Sequence, residues 1–297
     1  MLRTAIIFIF CLFLYTNHAF GETSDDDEDF TNLIVNGYRK KNSSLCKFIV
    51  SIRMGNYYIV EGDNHICGGS IISKRCIVTA AHCLVTQDEN QLIPSEHYYI
   101  VAGSQYRLNS PLSAQKAYVS STIVHPLYNV PKRAADIGLM ILKDLLQLDF
   151  KTVAPIPLAT KTPVLNTKCT TGGWGSVFYN GPSPDNILYS DLHILACNLN
   201  INGSSKGLIC AMNNKDPEMD SCQGDSGSPL ICDGKLCGLV SFGIGCGWGY
   251  PGAYTNVAYY RDWVLEHSAS IRANNLNKFA FIALISTILI PYITVLV

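Results

Sequence analysis

The residues with the clearest chemical potential lie between Met219 and Ile231, MDSCQGDSGSPLI, where Ser226 stands among Gly224, Asp225 and Gly227. So glycine-rich a turn is neither helix nor strand interior, and it can present a serine hydroxyl outward. A free serine is a poor nucleophile, so that reading needs a general base and a group to orient the base. Two other stretches qualify: TAAHC at 79–83 offers His82, and DIGLMIL at 136–142 offers Asp136 at the mouth of an apolar run. Each signal alone is ordinary, since GDSG is usually a turn, a lone histidine usually structural and an aspartate before an apolar run usually a strand end. The conjunction points to acyl transfer.

With histidine, aspartate and serine in that chain order and those local contexts, the sequence resembles the trypsin-like (chymotrypsin-fold) serine peptidases. The resemblance implies His82 as general base, Asp136 as its orienter, Ser226 as nucleophile, and the backbone N–H groups of Gly224 and Ser226 as oxyanion donors. It matches Asp220, six residues before Ser226, to the floor of the primary pocket, with Gly243 and Gly252 leaving its walls open and Ser241 beside the substrate backbone. A buried carboxylate there favours a long cation, so cleavage after Arg or Lys is expected. Arg133, three residues before Asp136, falls where the family shapes the next subsites and suggests a preference for acidic residues upstream of the cut. Phe242 and Ser228 depart from the usual tryptophan and glycine. An α/β-hydrolase esterase fits less well, because its elbow reads GxSxG and its histidine follows the serine. A binding module on a peptidase scaffold usually lacks part of the triad, which is complete here.

These residues need elements to position them. Short β-rich runs at 48–53, 76–80, 98–102, 119–124, 139–142, 192–196, 229–232, 236–242 and 253–257 alternate with Gly, Pro, Asn and Ser, and almost no long helical period interrupts them. The class is all-β. The resemblance specifies two six-stranded antiparallel barrels with the site between them and a C-terminal helix near 261–266.

The ends have a different character. Residues 1–21, with Arg3, the apolar run Ala5 to Tyr15 and Ala19-Phe20-Gly21, read as a signal peptide. Residues 22–33 form an acidic propeptide with no basic residue. The peptidase domain is expected over 34–270, beginning at IVNG. By resemblance, the freed ammonium of Ile34 pairs with Asp225, so the uncut chain should be inactive. The residue before that cut is Leu33, not the usual Arg or Lys, so an activating protease that cuts after an apolar residue is implied. Residues 271–297 are a spacer and hydrophobic tail, preceded by Ser268-Ala269-Ser270; the order fits a GPI-attachment signal, with a retained membrane span as the alternative.

The sequence has 12 cysteines, and a secreted chain with so many reads as a disulfide framework. Connectivity does not follow from spacing. The resemblance implies Cys67–Cys83, Cys169–Cys232, Cys197–Cys210 and Cys222–Cys246, leaving Cys46, Cys76 and Cys237, for which a Cys46–Cys76 bridge is a guess. No CxxC or HxxxH pair suggests zinc, Ser104 stands where calcium-binding members place a glutamate, and no metal or cofactor is expected. Sequons at Asn42 and Asn202 fit an extracellular route. With 22 basic and 23 acidic residues, the core set apart from its ends lies near neutrality. Without a basic stripe, nucleic acid is set aside in favour of protein or peptide substrates.

Overall fold

A computed structural model describes residues 37–39, 44–86, 88, 91–130, 133–198 and 206–269. The expected signal peptide and propeptide over 1–33, Ile34, the sequon asparagines Asn42 and Asn202 and the C-terminal tail 271–297 lie outside the described residues.

Twelve strands make two closed antiparallel barrels. The first contains β1 (Ile49–Met54), β2 (His65–Ile71), β3 (Cys76–Thr79), β4 (Tyr98–Ala102), β5 (Gln115–Val124) and β6 (Gly138–Leu142), in the order β1-β2-β3-β6-β5-β4. The second contains β7 (Lys168–Gly173), β8 (Leu188–Leu195), β9 (Leu208–Met212), β10 (Pro229–Cys232), β11 (Lys235–Phe242) and β12 (Gly252–Asn256), in the order β10-β11-β12-β9-β8-β7. Among the described residues one α-helix, α1, covers 261–269.

The apolar runs CIVT and GLMIL behave as strands buried on both faces. Ile77, Met140 and Leu142 enter the core of the first barrel, while Cys76, Val78, Leu139 and Ile141 point the other way, onto Ile231, Leu236 and Leu239 of the second barrel and Val264 of α1. The two-residue period of a strand thus serves two cores, and a slip of one residue would exchange them. Each fully buried Ile or Leu in this seam contributes roughly 1.5–3 kcal/mol relative to exposure, which joins the barrels firmly.

Three strands carry weak sequence signals. In β2, HICGGSI, glycine breaks the β-rich pattern, and packing explains why: a Cβ on Gly68 would strike the side chain of Ser228, and one on Gly69 would press on Ile77. In β7, KCTTGG ends on Gly173, whose missing side chain leaves room for Asp225 and Ser228. The third, β9, is a short LICAM run.

Disulfides close Cys67–Cys83, Cys169–Cys232, Cys197–Cys210 and Cys222–Cys246. The guessed Cys46–Cys76 bridge is not formed: Cys46, Cys76 and Cys237 are free and buried. Cys46 lies among Ile49, Trp174 and Tyr189, whereas Cys76 packs in the seam between the barrels, so the two belong to separate clusters.

Candidate active site

His82 sits on a 3₁₀ turn, Ala81–Cys83, that leaves β3, and the Cys67–Cys83 bond ties that turn to β2. Asp136 enters just ahead of β6 and is fully buried. Its Oδ1 accepts the backbone N–H of His82 at 2.9 Å and its Oδ2 faces His82 Nδ1 at 2.8 Å. The Ser241 hydroxyl donates to the same Oδ2 at 2.5 Å, and the Thr255 hydroxyl donates to the Asp136 carbonyl at 2.7 Å. Burial alone would push this carboxyl up, but the charge and hydrogen bonds of His82 and the Ser241 hydroxyl hold it below its ordinary value. Ser241 reaches it because a register shift between Val240 and Phe242, opposite Tyr254 and Ala253, turns β11 at that point.

Ser226 occupies a turn fastened to both barrels. Its carbonyl accepts the N–H of Gly68 at 2.8 Å, and the following N–H, of Gly227, donates to Val240 at 2.8 Å. Gly224 adopts φ +100°, a left-handed conformation that disfavours any side chain. Ser226 and His82 line one cavity of about 580 Å³ together with Asp220, Gly224, Ser241 and Gly243. No hydrogen bond joins the Ser226 hydroxyl to His82 here; such contacts commonly tighten only when substrate is bound.

Asp220 is 7 % exposed at the wall of this cavity. Its oxygens accept from the N–H of Ser221 at 2.8 Å and of Gly247 at 3.4 Å, and no cation engages it among the described residues. Burial raises its pKa to about 6 against those bonds. Gly252 lies against it, where a Cβ would come 3.2 Å from its carboxylate, and a Cβ on Gly243 would meet the Gly245 carbonyl only at 3.7 Å, an ordinary contact. The Cys222–Cys246 bond borders the same cavity. Asp225 is buried, accepting from Gly175 N–H at 2.8 Å and Cys222 N–H at 2.9 Å, and burial pushes it too to about 6.

The cavity also holds residues without a sequence signal of their own, among them Tyr179, whose ring packs on Trp248 at 5.5 Å, and Gln223. Arg133 lines it as well. Another missed residue is His65, whose Nε2 contacts the Gly224 carbonyl at 3.0 Å. A histidine before two glycines carries no mark of that role, because the contact is made only when the barrels meet. The one cluster of metal-ligand types among the described residues, Cys67, His82 and Cys83, offers no thiolate, since its sulfurs are bonded to each other.

Comparison with known proteins gives a consistent result. The family model described as Trypsin matches residues 34–264. Trypsin eta of Drosophila melanogaster is 36% identical over 236 residues, covering 77% of this chain and 86% of its own. Human trypsin-3 is 33% identical over 252 residues, covering 83% and 75% respectively. Hypodermin-B of Hypoderma lineatum is 36% identical over 230 residues, covering 74% and 82%.

Proposed function

Because this chain belongs to the trypsin family of serine peptidases, we propose that it is an endopeptidase that hydrolyses peptide bonds after Arg or Lys through an acyl-enzyme on Ser226. The observation that carries this reading is the His82–Asp136 pair, with Asp136 buried, opening onto a cavity shared with Ser226 and an Asp220 carboxylate that no cation engages among the described residues.

In this mechanism Asp136 accepts the Nδ1 hydrogen of His82, which leaves Nε2 free to take the Ser226 proton as the oxygen attacks the substrate carbonyl. The C–N bond then breaks, His82 returns the proton to the leaving amine, and water repeats the sequence on the ester. The N–H groups of Gly224 and Ser226 hold the oxyanion; a single donor of this kind is worth roughly 3 kcal/mol. Arg or Lys would meet Asp220, and neutralising a buried carboxylate repays the desolvation of both charges better than any neutral side chain could.

The same reading makes the chain a secreted zymogen. Residues 1–21 direct secretion, a protease cutting after Leu33 frees Ile34, and its ammonium enters beside Asp225, whose pKa burial raises to about 6. Asn42 and Asn202 carry glycans, and the tail tethers the product to the cell surface through GPI or a span.

The test is to produce the chain with a specific cut placed before Ile34. An active-site fluorophosphonate should label Ser226 only after cutting, and a peptide library should show cleavage after Arg or Lys. Absence of labelling, or cleavage after uncharged residues, refutes the proposal.

A further inference from the structure

Ser51 and Arg53 stand two apart on β1 and therefore leave the same face of the strand. Val50 and Ile52, which alternate with them, enter the core of the first barrel, so Ser51 and Arg53 point outward. Yet they are only 2 % and 1 % exposed. A register shift between Ile52 and Arg53 pairs Arg53 with His65, which brings the three side chains together. Arg53 is held from its far end as well: its Nη2 donates to the Arg107 carbonyl at 2.8 Å. The guanidinium of Arg107 in turn donates to the carbonyls of Gly62, Ser183 and Pro184.

The hydrogen bonds among these groups have one consistent direction. Arg53 Nε can only donate, so the Ser51 oxygen accepts, at 3.1 Å. The Gly224 carbonyl can only accept, so His65 Nε2 carries a hydrogen toward it, at 3.0 Å. Burial, reinforced by the charges of Arg107 and Arg53, keeps the His65 ring neutral. Its Nδ1 must then accept, and the Ser51 hydroxyl supplies the hydrogen at 2.8 Å. The relay runs from Arg53 through Ser51 and His65 to Gly224.

Its end point matters because Gly224 lies between two peptide planes. The Gln223 carbonyl accepts the N–H of Ser176 at 2.7 Å, and the Gly224 carbonyl accepts from His65. With both carbonyls gripped, the Gly224 N–H, trans to the Gln223 carbonyl, has a fixed direction. Among the described residues Arg53 pairs with the carboxylate of Glu61, half-exposed at 3.8 Å, so the buried cation gains little as an ion pair.

We propose that Arg53 is a positioning residue for acyl transfer: through Ser51 it selects the Nε2–H tautomer of His65, which grips the Gly224 carbonyl and keeps the oxyanion-binding turn preorganised. The inference rests on the reading of Gly224 and Ser226 as oxyanion donors.

The test uses the full chain cut before Ile34, with Ser51→Ala, Arg53→Met and the double variant. Active sites are counted by fluorophosphonate titration, so that an unfolded fraction is not mistaken for a slow enzyme. Each single variant should lower kcat per titrated site by about tenfold, less than the hundredfold or more typical of deleting an oxyanion donor. Each should leave the affinity for benzamidine, a small amidinium that senses the Asp220 carboxylate, within about twofold of the parent, because the relay ends on the Gly224 carbonyl and touches neither Asp220 nor the Ser221 and Gly247 N–H groups that bond it. The double variant should be no worse than the poorer single one, since both break one chain. The ¹⁵N resonances of His65 should report a single Nε2–H tautomer in the parent and lose that uniqueness in the Ser51→Ala variant. Unchanged kcat per titrated site with only a lower Tm would reduce Arg53 to a packing role, and additive losses would dissolve the relay; either outcome overturns the inference. Should Arg53→Met fail to fold, Ser51→Ala decides alone, because it keeps the cation in place. A parent chain that fluorophosphonate does not label overturns the peptidase reading itself, which is a distinct result.

Discussion

The Ser241 hydroxyl donates to Asp136 across the seam between the barrels, at 2.5 Å, on the oxygen that also receives His82 Nδ1. The carboxylate is thereby fixed from both sides, and rotation of its plane would break bonds to each barrel. Asp136→Asn replaces one acceptor oxygen with a donor and sets the His82 tautomer wrongly, so kcat should fall by about ten-thousandfold while the fold persists. Ser241→Ala removes one donor and keeps the tautomer, and should lower kcat by about ten- to a hundredfold, the effect of a hydrogen bond to a charged group worth roughly 1.5–3 kcal/mol. Steady-state kinetics on a peptide amide distinguishes the two, and equal losses would refute the division of roles.

Gly68 and Ser228 make a second contact across the seam. A Cβ on Gly68 would collide with the Ser228 side chain, which is fully buried. Gly68→Ala should therefore destabilise the protein by about 1–3 kcal/mol, the usual range for overpacking. Adding Ser228→Gly should restore part of the loss, because the colliding atoms are those of the serine side chain. Thermal or denaturant unfolding of the two singles and the double measures this coupling. Additive effects would show that the clash is relieved elsewhere.

The sequence carried part of this, for identifiable reasons. GDSG, TAAHC and DIGLMIL are local, and each places its residue by turn or strand chemistry, so the sequence nominates His82, Asp136 and Ser226 as candidates; the fold then sets His82 against Asp136 and lines one cavity with His82 and Ser226. The strands with continuous apolar runs, β3 and β6, could be found because burial on both faces leaves a compositional trace. In β2 and β7, glycine serves a neighbour in the other barrel, and that neighbour is distant along the chain. His65, Arg53 and Tyr179 were silent for the same cause: their partners are Gly224, Arg107 and Trp248. The fate of Cys46 and Cys76 was equally hidden, since only the packing shows that they belong to different clusters.

Those free thiols give a chemical prediction. Cys46, Cys76 and Cys237 are buried, and burial pushes them to about 12, 12 and 11. Thiolate is the reactive form, so the native protein should not react with an aromatic disulfide reagent over minutes at pH 8. In denaturant, without reductant, three thiols should appear when the protein begins at Ile34. Fewer would mean that a further bridge forms.

Arg133 lines the same cavity as Asp220, in a left-handed backbone conformation with φ 50°, and no ion pair engages it among the described residues. A cation there is expected to favour substrates with Asp or Glu upstream of the scissile bond. In paired peptides, kcat/KM should be several-fold higher with an acidic residue than with its amide, consistent with about 1 kcal/mol for a partly solvated pair. Arg133→Glu should invert the ratio. Equal rates for the pair in the parent enzyme would dismiss the preference.

The Asp220 carboxyl should make the cavity it borders sensitive to pH. Burial raises it from 3.8 to about 6. Folded protein therefore holds this proton where unfolded chain has lost it, so the group's contribution to stability is full below about pH 4 and fades as pH rises through 6. Binding of a cation has the opposite dependence, because only the carboxylate attracts it. Benzamidine affinity should be flat above about pH 7 and weaken below 6, approaching tenfold per pH unit as protons compete for the site. Asp225 titrates in the same range and could imitate this behaviour. Asp220→Asn separates them: affinity should fall at pH 8, and the decline below pH 6 should flatten, since the remaining amide does not titrate. Calorimetric titration of both proteins across this range is the measurement, and a steep acid limb surviving in the variant would move the effect to Asp225.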